Sequence, residues 1–402
     1  MTSLKKYFPW FINNKGWVYL DSSATALKPK CVVDTVSEYY TKYNTNPHNT
    51  DSPIANELKK KLANVRISCA KFFNAETNEI VFTSGATESM NIITTNIIAT
   101  LKKEDEVVVS YGEHSSNLLP WMQSESKGVK LVFAKDENNF PTTNAFVKAI
   151  TGKTKVISFA SSGNLVGQTI DIAKIVKAAR KVNKDIIVII DATQFVPAQK
   201  LDFKKLDIDF FVCSAHKMCG PSGVGVLCGK AKHLNNMHPI KFGGGTVSTV
   251  TAAKINWAPI PDRLEGGTPN TEGILGFGSA LAFLSKIGLN NIYQHELELK
   301  KYFDKRIKEV KNIEYASAGS DLPVCSFNIT GVNPQDLSNY LGNKKIIVRG
   351  GMACVKLQEK FTHNKTGYVR ASMYLYNDKA DIDVLINALK QYKKGKELVG
   401  II

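Results

Sequence analysis

Three stretches of this chain carry near-continuous apolar runs where a half-buried strand would alternate: "KVISFA" at 155–160, "DIIVIID" at 185–191 and "DIDFFVCS" at 207–214. A strand that is apolar on both faces has to be covered on both faces. Between the first two, Ile172, Ile175, Val176, Ala179 and Val182 recur at helical spacing. Strand, helix, strand with continuous apolar strands predicts a parallel sheet between layers of helices, an α/β fold. Other stretches extend the pattern. A helix is predicted over 51–73, with Ser52 as N-cap and Pro53 opening it. "EIVFTSGATESMNIITTNII" reads as a short strand, a Ser-Gly turn and a helix from about Ala86. "DEVVVS" and "GVGVLC" read as further strands, and "EGILGFGSALAFLSKIG" as a helix. Near residue 290 the texture changes to a charged helix, the strands "VCSFNIT" and "KIIVRGG" and a C-terminal helix. We therefore expect a large domain over 26–289 and a small α/β domain from 290–402, with residues 1–25 packed on the latter.

Composition narrows the class. The net charge is +16, but 46 of the 52 basic residues are lysines spread without a block, which reads as a solvated surface and predicts no specific nucleic acid partner. No stretch approaches the roughly 20 apolar residues of a membrane span, and the start has no signal-like apolar run. Seven cysteines without regular spacing suggest reduced thiols and a cytoplasmic setting.

In sheets of this kind ligands sit beyond the carboxyl ends of the strands. The polar residues there are Ser84 to Thr87, His114, Asn164, Asp191, Gln194, Ser214, His216 and Lys217. The segment "FFVCSAHKMCGPSGVGVLCGK" admits three readings. A metal site could use Cys213, His216, Cys219 and Cys228, but Cys213 belongs to an apolar strand, where a buried thiol is ordinary. A phosphate loop would need a glycine pattern that the segment does not complete. The third reading makes Lys217 a covalent anchor, since a partly desolvated amine is neutral enough to react with an aldehyde. The main cofactor of that kind is pyridoxal phosphate, which also needs a carboxylate for its ring nitrogen, a phosphate cradle and a cover for its ring. Asp191 could supply the carboxylate. The helix start at Ala86–Thr87, with Ser214 and His216, could hold the phosphate. His114 could stack on the ring.

These residues bring a resemblance with them. The chain resembles the class V aminotransferase-like enzymes, specifically the group-II, Suf-type cysteine desulfurases. The likeness rests on "YLDSSATALKP", "VFTSGATESMN", "GEHSSNLLPW", "SSGNLVGQ", "DATQFVP", "DFFVCSAHKMCGPSGVGVL", "EGGTPN", "VRGGMAC" and "VRASMYLYN", in that order. It implies pyridoxal phosphate fold type I, with a mainly parallel seven-stranded sheet in the large domain. It implies that Lys217 anchors the cofactor and moves protons, that Asp191 meets the ring nitrogen, Gln194 the phenolic oxygen, and that His114 stacks. Ala86, Thr87, Ser214 and His216 would hold the phosphate, with Thr268 lent by a second subunit, so a homodimer is implied. Asn164 and Arg370 would face the substrate, L-cysteine, with Arg370 clamping its carboxylate. Cys354 would attack the substrate sulfur, leaving alanine and a persulfide for a sulfur-acceptor protein in iron–sulfur assembly or tRNA thiolation. That chemistry needs a thiolate on an accessible loop near positive charge. Arg349 and Lys356 flank it, and Gly350 and Gly351 are expected to let the loop move. The chain also departs from the pattern. Ser115 replaces a histidine common after His114, and Met352-Ala353 replaces paired histidines before the cysteine. A selenocysteine lyase or another class V enzyme is the alternative of the same fold, and a basic binding protein the alternative of another class.

Overall fold

The computed structural model describes residues 4–48 and 51–393. Seven strands form the central sheet: β1 (Ile80–Thr83), β2 (Glu106–Val109), β3 (Lys130–Phe133), β4 (Thr154–Ala160), β5 (Ile187–Asp191), β6 (Phe210–Ser214) and β7 (Gly225–Gly229). Their spatial order is β1-β7-β6-β5-β4-β2-β3. Only β7 runs against its neighbours, wedged antiparallel between β1 and β6; the remaining pairings are parallel. Strands β4 to β7 are almost wholly buried, as their near-continuous apolar runs require.

The long helix Pro53–Phe73 begins as the sequence predicts: Ser52 Oγ accepts from the Ala55 N–H, and Pro53 opens the first turn. It ends at Asn74 in the left-handed conformation. The glycine-rich helix Thr271–Ile287 is followed at once by Leu289–Arg306. Beyond it lies a four-stranded antiparallel sheet of β8 (Ile313–Tyr315), β9 (Val324–Ile329), β10 (Arg349–Gly351) and β11 (Tyr368–Ser372), in the order β8-β9-β11-β10.

"KIIVRGG", expected as one strand, is two. Ile346–Ile347 pairs in parallel with Val18–Tyr19 near the N-terminus, and Arg349–Gly351 pairs antiparallel with β11. The N-terminal segment is thus stitched to the smaller sheet, and a further bridge joins Asp21 to Ser372. Phe8 from the same segment packs edge-on against Phe283 and Tyr376 in the large core. Among the described residues no single helix is long and apolar enough to cross a membrane.

Candidate active site

The carboxyl edge of the central sheet opens into a cavity of about 230 Å³, closed on its far side by the loop after β10 and by β11. Of the twelve residues to which the resemblance gives a cofactor, substrate or nucleophile role, eleven line it; Thr268 does not. Asp191, the last residue of β5, and Ser214, the last of β6, reach it because both strands end at this edge. Lys217 follows on a single helical turn, Ala215–Lys217.

One wall is the start of the helix Ala86–Thr100. Its N-cap is Gly85, which has no side chain to cap the helix. The Ala86 N–H donates to Ser214 Oγ at 2.9 Å, and the Thr87 hydroxyl lies 2.6 Å from Ser116 Oγ. Gly225 explains how the helix comes so close: a Cβ there would stand 2.4 Å from Gly85 Cα. An uncapped helix start with inward N–H groups and a positive dipole end is a place for an anion.

Electrostatics at the floor follow from burial. Removal from water pushes the Lys217 amine down to about 8; Asp191 pulls it up, and Arg370 and Arg349 add to the lowering. His216 is pushed down to about 4, first by burial and then by Lys217 and Lys28. His114 is lowered by burial, against the pull of Asp191. His114 Nδ1 accepts the Ser116 N–H at 3.2 Å, capping its helix. A neutral ring held this way carries its proton on Nε2.

The far wall carries Arg349, Cys354 and Arg370. The Arg349 Nη2 donates toward Cys354 Sγ at 3.6 Å, the cationic neighbour a thiolate favours. Arg370, almost fully buried, donates through Nη2 to Asp21 Oδ1 at 3.0 Å and through Nη1 to the Asn164 carbonyl at 2.8 Å. Burial lowers the Arg370 guanidinium and raises the Asp21 carboxyl, and each partner opposes the other's shift.

The Cys354 loop is unusual backbone. Ala353 and Cys354 have φ of 48° and 62°, left-handed without being glycine. That costs about 1–2 kcal/mol per residue. Three hydrogen bonds of about 1 kcal/mol each act against the cost. Asn164 Nδ2 donates to the Ala353 carbonyl at 2.6 Å, and the Ser115 N–H and Oγ donate to the Cys354 carbonyl at 3.0 and 2.9 Å. Val355 is buried beside Leu165, Val166 and Phe361. Of the two glycines expected to free this loop, Gly351 takes a positive φ of 106° with open space around it, while Gly350 has a packing role. Gly350 lies paired in β10, and a Cβ on it would meet the Pro334 carbonyl oxygen at 2.8 Å, so glycine is needed there for close packing.

Sequence reasoning passed over three residues of this neighbourhood. Asp21 sits inside a quoted motif, but its partner is 349 positions away. Glu113 is buried beside His114 and pushed up to about 7 by burial, while accepting from Ser110 Oγ, Asn117 Nδ2 and the Ala160 N–H. Ser116 links Thr87 to His114. The signal for the last two was their adjacency to His114. Thr268 is exposed and lines a separate surface pocket with Lys241, Glu88 and Asn270. Cys213, Cys219 and Cys228 are buried free thiols, raised by burial.

Known proteins share this fold. The aminotransferase class-V family model matches residues 18–385. A probable cysteine desulfurase of Ureaplasma parvum is 45% identical over the full length of both chains. Another, of Halalkalibacterium halodurans, is 35% identical over 97% of each chain. The crystal structure of a cysteine desulfurase of Escherichia coli matches with a TM-score of 0.87 at 30% identity over 96% of each chain. That of Thermococcus onnurineus matches at 0.91 and 28% identity, over 97% of this chain and 98% of the other. The chain belongs to the aminotransferase class-V family, among the cysteine desulfurases.

Proposed function

We propose that the chain converts L-cysteine to L-alanine, with the sulfur retained as a persulfide on Cys354. The observation that carries this reading is one cavity holding Lys217, Arg370 and Cys354, with Arg349 at 3.6 Å from the Cys354 sulfur. In the overall reaction the substrate's C–S bond breaks, an S–S bond forms on Cys354, and the carbon that lost sulfur gains a proton.

Pyridoxal phosphate fits the site. Buried Ser162 Oγ, Thr193 Oγ1 and Arg370 Nε have no hydrogen-bond partner among the described residues, and all three residues line the cavity. Buried polar atoms without partners want a ligand or water. Ala86, Thr87, Ser214 and His216 would hold the phosphate, Asp191 the ring nitrogen and Gln194 the phenolic oxygen, with His114 over the ring. When bound, the cofactor supplies an electron sink for bonds at the substrate's α-carbon. Lys217, lowered to about 8, is near enough to neutral to anchor it and to carry a proton. Arg370 orients the substrate carboxylate, and Asn164 stands beside it. Cys354 presents its sulfur from the far wall, which it shares with Arg370.

The residues 26–289 are read as the cofactor-binding domain, and 1–25 with 290–402 as the small domain that carries Cys354 and Arg370. A homodimer is supported by Thr268, exposed outside its own cavity, and by the solvent-facing Phe242, Val250 and Ile255 near the Val247–Val250/Ile255–Trp257 hairpin. The group-II, Suf-type assignment, sulfur delivery to a protein acceptor for iron–sulfur assembly or tRNA thiolation, and a cytoplasmic setting complete the reading, the last supported by seven free thiols.

Cys354→Ala tests it. Alanine formation from L-cysteine and the protein-bound persulfide should both disappear. Undiminished alanine release would remove the persulfide on Cys354 and favour the selenocysteine-lyase reading.

A further inference from the structure

We infer that Ser115 is a positioning residue that latches the Cys354 loop and so keeps the sulfur on the cavity wall. The inference rests on the reading of Cys354 as nucleophile.

Ser115 does not line the cavity, although His114 and Ser116 on either side do. It is the first residue of the helix Ser115–Met122. The N–H at that position has no partner within a helix. Here it donates to the Cys354 carbonyl at 3.0 Å, and the same residue's hydroxyl donates to the same oxygen at 2.9 Å. The preceding carbonyl, of Ala353, is held from another direction by Asn164 at 2.6 Å. Both pinned carbonyls belong to the two consecutive left-handed residues. Neither is glycine, so the turn has little conformational preference of its own. The pins decide it. Release would let Ala353 and Cys354 relax to ordinary backbone and would take the sulfur away from Arg349, which meets it at 3.6 Å.

Proline is tolerated at the first position of a helix, where its missing N–H costs no helical bond. The residue before a proline must be extended, and His114 already is, with φ −60° and ψ 145°. Ser115→Pro therefore removes both latch donors and leaves the helix its start, but its ring carbon stands where the N–H pointed and also pushes the Cys354 carbonyl away, so Ser115→Ala is the variant that separates loss of a bond from displacement. Ser115→Ala removes the hydroxyl alone, and Ser115→Thr keeps both donors.

Hydrogen exchange on the cofactor-free protein reads the latch directly. Amides of residues 353–356 should exchange about tenfold faster in Ser115→Pro, by an intermediate factor in Ser115→Ala, and as wild type in Ser115→Thr. Amides of 119, 121 and 122 should keep their protection; should Ser115→Pro lose it, Ser115→Ala decides. With the cofactor restored, kcat for alanine formation should fall about tenfold in Ser115→Pro with KM for cysteine unchanged, since Ser115 does not itself line the cavity and acts only through Cys354. Unchanged loop exchange would overturn the latch. Faster exchange with an unchanged kcat would overturn its positioning role. Full turnover by Cys354→Ala would remove the nucleophile reading, while the exchange data would still judge the latch.

Discussion

Arg349 and Arg370 stand directly opposite each other across the antiparallel pair β10 and β11. Like charges so placed repel. Each arginine has its own neighbour to turn to: Arg370 meets Asp21 at 3.0 Å, and Arg349 meets the Cys354 sulfur at 3.6 Å. The pair builds a strongly cationic wall, suited to a carboxylate on one side and a thiolate on the other.

Arg370→Lys should lower kcat/KM for cysteine about a hundredfold, because an ammonium cannot reproduce the planar fork or hold Asp21 and Asn164 together. Asp21→Asn should cost about 2–4 kcal/mol of stability by leaving the buried guanidinium unbalanced. Steady-state alanine formation and urea unfolding measure the two effects. An Arg370→Lys enzyme within threefold of wild type would contradict the clamp.

Lys217 makes a pH-dependent prediction for the cofactor-free protein. Its folded-state proton is lost near pH 8, and its unfolded-state proton near 10.4. Between those values the unfolded chain holds the extra proton, so stability rises with pH. Lys217→Met should be more stable than wild type below pH 8, by about 2 kcal/mol after allowing for partial exposure, and the difference should vanish by about pH 10.5. Denaturation curves of both proteins across this range measure it; a constant difference would show that burial does not perturb the amine.

Gly225→Ala should press a methyl group into Gly85, 2.4 Å from its Cα. Overpacking of this kind costs about 1–3 kcal/mol. The strain falls on the start of the helix Ala86–Thr100, so affinity for added pyridoxal phosphate should drop at least about tenfold, and more than stability alone would imply. Titration of the cofactor-free variant at fixed temperature decides this.

Far from the reacting groups, Arg66 makes a two-pronged ion pair with Glu265 at 2.7 and 2.8 Å and also donates to the Ile80 carbonyl. Glu265 in turn accepts the Phe82 N–H at 2.6 Å. Together they tie β1, the edge strand, to the segment that carries Thr268. Arg66→Ala should destabilise the protein by about 3 kcal/mol, since it strands a mostly buried carboxylate. Arg66→Ala with Glu265→Ala should cost less than the sum of the two single changes. Strict additivity in urea unfolding would show that the pair is not coupled.

Much of the fold was legible because its signals are local. Near-continuous apolar runs mark β4, β5 and β6; a charge, Asp191, ends the second, and Lys217 follows the third within three residues. What was not legible depends on pairing between distant segments. "KIIVRGG" is divided because Val18–Tyr19 claims its first half and β11 its second; nothing within seven residues announces two partners. The role of Gly350 was misjudged for the same reason, since the Pro334 carbonyl that excludes a side chain comes from another element. Ser115 looked like a loss of a histidine, and only the approach of the Cys354 carbonyl gives it a task.

The wedged position of β7 has a consequence for how the protein is made. During translation β1 emerges early, yet both its ends wait for a neighbour: Thr83 pairs with Gly225, and Ile80 with Cys228. Until that later segment leaves the ribosome, the nascent chain holds an apolar strand with no sheet to join, and the helix start behind it cannot meet Ser214. Insertion of one strand therefore completes the anion cradle and joins β1 to the sheet in a single step. A nascent chain halted before residue 225 should be recognised by chaperones as unfinished, with its β1 region exposed.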